Sequence, residues 1–198
     1  MTNYYCLVTG LPELSLEDGK LSYTVANFKT EIYPELSKSD KKLIDLFYLK
    51  FDNQNLLALL KDKEAVVDTS LGNFSAEELL GVIASFKEET APDKKFPSYF
   101  YEFAELYLNT PEEERFGLEG KLHGFYYHYA MNCSNKFVSE WFELNLNVNN
   151  ILAAMAARKF KMDVAKVPVG SNMVAEALRT SNARDFGLAD SGRMEKEL

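Results

Sequence analysis

Two stretches of the chain carry nearly the same order of apolar and polar residues. In each stretch an Asn precedes an apolar run that ends in a basic residue, and Asn150 follows Asn55 by 95 positions. Between residues 39 and 58 the same offset pairs seven identical residues without a gap, this Asn among them. These are Ser39, Lys41, Phe47, Leu49, Asn55, Leu57 and Ala58, paired with Ser134, Lys136, Phe142, Leu144, Asn150, Leu152 and Ala153. The sequence therefore predicts a tandem repeat.

Each Asn stands in a row of apolar residues spaced four apart, which is the spacing of one helix face. The rows are Leu43, Phe47, Phe51, Asn55 and Leu59, and then Val138, Phe142, Leu146, Asn150 and Ala154. A buried amide without a hydrogen-bond partner costs about 1–3 kcal/mol. We therefore expect a neighbouring helix end or a backbone carbonyl to bind each amide.

A second interpretation breaks each helix just before its Asn. Asp52 and Asn147 would then be N-cap residues, and the apolar run behind each would start a new helix. Both interpretations make Asp52, Asn55, Asn147 and Asn150 structural repeat positions, and the sequence leaves the choice open.

Periodicity and capping signals predict an all-α fold. Residues 4–8 fit a strand or a short helix, and residues 14–20 resemble a turn containing Asp18-Gly19. Ser37 or Ser39 can cap the first long helix, and Ser75 with Glu78 has the capping-box spacing. The predicted helices are 21–32 with a break at Pro34, 39–61, 75–86, 98–108, 116–131 after a start at Thr110-Pro111, 134–160 and 173–178, with 179–198 weakly patterned.

These helices divide into two repeat units, 1–90 and 96–198, joined by a charged linker within 87–95. Each unit has a feeder helix, an Asn-bearing helix, a loop with Gly72 or Gly170, and a short helix. We therefore expect two tandem helical repeat units, stacked as neighbouring repeats that share a core.

Composition narrows the classes of partner. The 198 residues carry a formal net charge of −8, which argues against nucleic acid and against an anionic membrane surface. No apolar run approaches the roughly 20 residues of a membrane-spanning helix, and Met1–Tyr5 lacks the basic region of a signal peptide. Cys6 and Cys133 are too few for a disulfide framework. We expect a cytoplasmic protein.

Motifs for catalysis, metals and cofactors are weak or missing. His123, His128 and Cys133 are spaced by five, which moves them off one helix face. Asp185-Phe186-Gly187 lacks the rest of the kinase motif set, and no P-loop occurs. We therefore expect no catalytic residues, no metal site and no cofactor, and a protein that is not an enzyme.

The repeated stretches resemble a known family. Asp52-Asn53-Gln54-Asn55-Leu56-Leu57 and Asn147-Val148-Asn149-Asn150-Ile151-Leu152, each followed by a basic residue and a Gly loop, are similar to the repeating unit of the central-stalk C subunit of V/A-type rotary ATPases, known in eukaryotes as the d subunit. Leu118-Glu119-Gly120-Lys121-Leu122 resembles the helix that leads into a repeat. Residues 4–14 resemble the start of a bacterial family encoded beside V-type ATPase genes.

The resemblance implies a mechanical role. Members of this family are non-catalytic, funnel-like helical adaptors between the central stalk and the proteolipid ring in the membrane, and they couple ATP synthesis or hydrolysis to ion movement. The partners are the other ATPase subunits, which would hold this chain at the inner membrane through the complex. The family has three units and this chain shows two, which implies a short relative or a fragment. The alternative is a helical interaction module unrelated to rotary ATPases.

Overall fold

A computed structural model describes residues 4–13, 15, 23–88 and 90–188, with the side chains of Lys87 and Glu88 left out. In this part of the chain every regular element is helical, so the all-α prediction is confirmed. The α-helices are α1 Tyr5–Thr9, α2 Val25–Glu31, α3 Lys38–Lys61, α4 Ala76–Glu88, α5 Ser98–Asn109, α6 Leu118–Met131, α7 Lys136–Lys159 and α8 Met173–Thr180.

The chain forms two compact units, Met1–Leu80 and Gly81–Leu198. The division falls inside α4. The predicted repeat units, 1–90 and 96–198, are defined differently, by the repeated order of helices and loops. That division stays a prediction.

The first unit is built around α3, which is 24 residues long. The Ser37 side chain caps its amino end by accepting a hydrogen bond from the Asp40 amide, 3.2 Å away. The Tyr4 hydroxyl donates to Asp40 and accepts from the Ser37 amide, so the segment before α1 is tied to the start of α3. Residues 5–9 form a helix, which decides between the strand and the helix that the sequence left open.

The short helix after α3 begins as the sequence predicts. The Ser75 amide donates to Glu78 at 2.8 Å, and the Glu78 amide donates to the Ser75 hydroxyl at 3.2 Å. This capping box satisfies two backbone donors at the start of α4. The predicted turn at Asp18-Gly19 lies outside the described residues.

In the second unit, consecutive helices from α5 to α8 are neighbours in space. Aromatic rings fill the space between α6 and α7, where Tyr126 meets Phe142 edge-on with ring centroids 5.7 Å apart. Beyond α7 lies a second apolar cluster. It contains Ala154, Val174, Leu178, Phe186 and Leu188. This packing fixes one face of α7 and places the loop between α7 and α8 over that face.

Two sequence interpretations are wrong. Neither long helix breaks at Asp52 or Asn147, because α3 and α7 each run through that position as one helix. The start predicted at Thr110-Pro111 does not lead directly into a long helix. Glu112–Glu114 form a 3₁₀ turn, and α6 begins after Gly117, whose φ of 91° is accessible to glycine without strain.

Candidate functional site

Two buried polar side chains of α3 fasten the loop after that helix to it. Asp52, which is 0% exposed, accepts hydrogen bonds from the amides of Asn73 and Phe74 at 2.9 and 3.1 Å. One helix turn further on, Asn55 donates to the carbonyl of Asp68 at 2.9 Å. The expectation that a backbone carbonyl binds this amide is confirmed. We call Asp52, Asn55 and the loop 68–74 the first helix–loop anchor.

Further hydrogen bonds hold the same loop, from a lysine on α2 and from a side chain of the loop itself. The ammonium group of Lys29 on α2 donates to the Gly72 carbonyl at 2.6 Å and lies 4.4 Å from the centre of the Tyr48 ring. The Asn73 side chain donates to the carbonyl of Asp45 at 3.0 Å. Lys29 thus binds the backbone of the loop from α2, and Asn73 binds the backbone of α3, so the conformation of the loop depends on both helices.

Burial controls the electrostatics of the first anchor. It raises the pKa of the Asp52 carboxyl group to about 6, and the Asn73 and Phe74 amides and Lys29 partly oppose that rise. Burial also lowers the pKa of the Lys29 ammonium, against the attraction of Asp52 and Asp45. The carboxyl group in the first anchor therefore titrates at mildly acidic pH.

The backbone of Gly72 packs against the carboxylate of Asp52 and leaves no room there for a side chain. A Cβ atom added at Gly72 would lie 2.3 Å from an oxygen of Asp52, which is inside the contact distance of any pair of non-bonded atoms. The glycine is therefore required by the approach of the loop backbone to the buried acid.

The second unit has a corresponding arrangement made of amides. Asn150 donates to the Val169 carbonyl and accepts from the Val169 amide, both at 2.8 Å, and is 3% exposed. Asn147 accepts from the side chain of Asn172 at 2.7 Å. Asn172 in turn accepts from the Ala175 amide at 3.0 Å and so caps α8. We call Asn147, Asn150 and the loop 168–172 the second helix–loop anchor.

A cation also holds the second loop. The Arg179 guanidinium donates to the carbonyls of Pro168 and Gly170 at 2.7 and 2.6 Å. It forms an ion pair with Glu176 as well. At the end of α7, Arg158 stacks on Phe186 at 3.5 Å and donates to the Ser181 and Arg184 carbonyls. The basic residue that closes the second repeated stretch thus holds the segment after α8.

An open cleft of about 640 Å³ lies between α6 and the second loop. Gly120 and Gly124 on α6 form part of its wall, and Lys121, His128 and Lys166 are among its basic residues. His128 contacts the Asn132 amide at 3.2 Å. The described residues that line the cleft include neither a carboxylate nor a thiol.

Two further findings concern the described part of the chain as a whole. Within it, no three side chains of the His, Cys, Asp or Glu type come close enough to share a metal ion. None of its helices combines the length and the apolar character that crossing a membrane requires.

Sequence reasoning named Asp52, Asn55, Asn147 and Asn150, and the structure gathers them into two anchors. It anticipated a backbone carbonyl as partner but did not identify which carbonyls and amides are bound, because a backbone group carries no sequence signal. Asn172 gave a usable signal, since an Asn before a short helix is a common N-cap. Lys29 gave none, because its role depends on where α2 packs.

Fold and site together define an all-α protein whose two helix–loop anchors rest on buried polar side chains. A family model described as "Protein of unknown function (DUF2764)" matches residues 1–196, and the chain belongs to that family. No curated protein and no solved structure matches the chain.

Proposed function

We propose that the chain is a non-catalytic adaptor in the central stalk of a V/A-type rotary ATPase, linking the stalk to the membrane rotor ring. The observation that carries this proposal is the recurrence of one construction in both units. In each, two polar residues three positions apart on a 24-residue helix hold the loop that leads to the next helix. The sequence resemblance to the rotary ATPase adaptor family rests on the same positions.

The details support one building block used twice. Asp52 and Asn55 occupy in the first unit the places of Asn147 and Asn150 in the second, and a cation binds the loop glycine carbonyl in each. The match has a local shift. Adding 95 to the bounds of α3 gives 133–156, whereas α7 runs Lys136–Lys159. We propose that the two copies stack as part of a funnel-like helical array.

A protein that transmits torque must be stiff. Loops are ordinarily the parts of a protein that move most. Here buried side chains hold the backbone of both loops at several points, and burial makes each unmade hydrogen bond costly. This construction suits a connector that passes rotation between ATP hydrolysis or synthesis and ion movement. It would sit in the cytoplasm and be held at the inner membrane by its partners.

The test is co-purification from native membranes. A tagged copy of the full chain should bring down the central-stalk proteins and the proteolipid ring in mild detergent, in a fixed ratio, and removal of the gene should uncouple ATP hydrolysis from ion transport. The matched control is the same tag on an unrelated cytoplasmic protein. An intact, fully coupled ATPase from which the chain is absent would refute the proposal.

A second candidate is a helical interaction module unrelated to rotary ATPases. The observation that favours it is the set of large apolar side chains exposed on α7, including Phe137, Leu152 and Met155. Exposed apolar patches mark interaction sites. Capture of a defined partner from outside the ATPase, in the same co-purification, would favour this module over the adaptor.

A further inference from the structure

Helix α7 has a second apolar face besides the one that packs in the second unit. Five of its exposed side chains lie along one stripe, at 37–74% exposure: Phe137, Leu144, Val148, Leu152 and Met155. Their spacings of seven, four, four and three keep them on one side of a helix. The stripe is about 27 Å long at 1.5 Å per residue. We call these five residues the α7 stripe.

The corresponding face of α3 is buried at four of the five positions, whereas Lys42, the counterpart of Phe137, is exposed. The offset of 95 relates Leu144, Val148, Leu152 and Met155 to Leu49, Asn53, Leu57 and Leu60, which are 2–8% exposed. The same face of the same kind of helix is therefore covered in the first unit and open in the second. An open face of this composition has the character of an interface rather than of an ordinary helix surface.

The size of the stripe sets the kind of contact that it can make. At the exposures given, its side chains present on the order of 500 Å² of apolar surface, which is the size of the largest apolar patch on a typical monomer, and such patches are often functional. Two such stripes facing each other would bury about 1,000 Å², where specific protein interfaces begin. A second copy of the stripe is thus large enough to cover it.

We propose that the α7 stripe binds the α7 stripe of a second copy of this chain, with the two helices antiparallel about a two-fold axis near Val148. A two-fold contact pairs one surface with itself, so a self-complementary stripe satisfies it. The heptad-like spacing of the stripe suits helix-to-helix packing. This inference goes beyond the rotary assignment and does not depend on it.

Charges at the two ends of α7 suit the antiparallel arrangement. Glu140 and Glu143 flank the amino-terminal half, where Lys136 pairs with Glu140 at 3.6 Å, and Lys159 and Lys161 follow at the carboxyl end. With the axis near Val148, antiparallel pairing places Glu140 of one copy opposite Ala156 of the other, one helix turn before Lys159, and places Lys136 opposite Phe160. It also opposes the two helix dipoles favourably, whereas parallel pairing would bring like charges together.

The test measures the oligomeric state of the full chain by sedimentation equilibrium, from micromolar to submillimolar concentration. We expect a monomer–dimer equilibrium that Val148→Glu shifts to monomer by at least tenfold in the dissociation constant. Val66→Glu is the matched control, because Val66 is fully exposed in a loop of the first unit. It should leave the equilibrium unchanged. Circular dichroism should show the same helix content in all three proteins.

A cross-link tests the geometry independently. In a background with Cys6→Ser and Cys133→Ser, Val148→Cys should form a dimer with a short bifunctional maleimide, and Val66→Cys should not. A monomer at every concentration would overturn the proposal, and so would a dimer that Val148→Glu leaves intact. In the monomeric case the stripe would belong to a different protein, and the rotary assignment would be unaffected.

Discussion

At the scale of single residues, burial gives a few polar side chains their roles. Asp52 keeps an acid inside the protein because two backbone amides and Lys29 surround it. Gly72 is required because the loop backbone must come close to that acid. Because the two residues are in direct contact, a substitution at either one should change the conformation of the other.

Gly72→Ala should destabilise the protein by about 2–4 kcal/mol, because the new methyl group collides with Asp52 and the loop must move. Chemical denaturation measures the change. Gly81→Ala is the matched control, since nothing lies within 4 Å of a Cβ atom added there. In a helix interior it should be neutral or stabilise by up to about 1 kcal/mol. Equal effects of the two substitutions would contradict the close approach.

Asp52 should make stability depend on pH. Its pKa is about 6 in the folded protein and about 4 in an unfolded chain. Its contribution is therefore fully present below about pH 4 and is lost as the pH rises through about 6. The free energy of unfolding is measured for the native chain and for Asp52→Asn at pH 4.5 and at pH 7.5. The difference between the two proteins should be more favourable to the native chain at pH 4.5 by about 2 kcal/mol. Parallel pH profiles would show that Asp52 is not the titrating group.

At the scale of elements, the anchors join each long helix to the loop that follows. In the second unit, Asn150 binds both the amide and the carbonyl of Val169, and Asn147 accepts a hydrogen bond from Asn172, the residue that caps α8. The position of α8 thus depends on two amides of α7. This connection explains why a polar pair is kept inside an apolar helix face.

Asn150→Leu should lower stability by about 2–4 kcal/mol, because both backbone groups of Val169 lose their partner. Hydrogen exchange should show faster exchange at the Val169 amide. Asn149→Leu is the neighbouring control, at an exposed position with a single side-chain bond to Tyr127. It should change stability by less than about 0.5 kcal/mol. Unchanged protection at Val169 would mean that the second anchor is not maintained by Asn150.

At the scale of the whole molecule, two properties reside in different parts of α7. Its buried face carries the second anchor and determines stability. Its exposed face carries the α7 stripe and determines association. Since the two faces have separate residues, changes to one need not disturb the other.

We expect stability and association to be separable. Asn150→Leu should lower the midpoint of denaturation and leave self-association of the folded protein unchanged. Leu152→Glu, at a side chain that is 59% exposed, should do the reverse. Denaturation and sedimentation of the same two variants measure both effects. A loss of both properties in Leu152→Glu would show that the stripe contributes to the fold.

Much of the fold could be predicted from the sequence. Helix periodicity located α3, α5 and α7, and the capping box marked the start of α4 at Ser75. The prediction failed at Thr110-Pro111, where Pro and three acids give a good helix start locally but the chain makes a 3₁₀ turn. Local signals report the preference of a few residues, and Gly117 placed the start of α6 later.

The sequence by itself determined that the chain is helical and that a polar pair recurs 95 residues apart, because both follow from spacing along the chain. Only the tertiary structure decided that the helices run unbroken through Asp52 and Asn147, what Asn55 and Asn150 bind, and that burial raises the pKa of Asp52. Those properties depend on loops and side chains that are distant in the sequence. Spacing within one helix cannot show which of its two apolar faces the rest of the chain will cover.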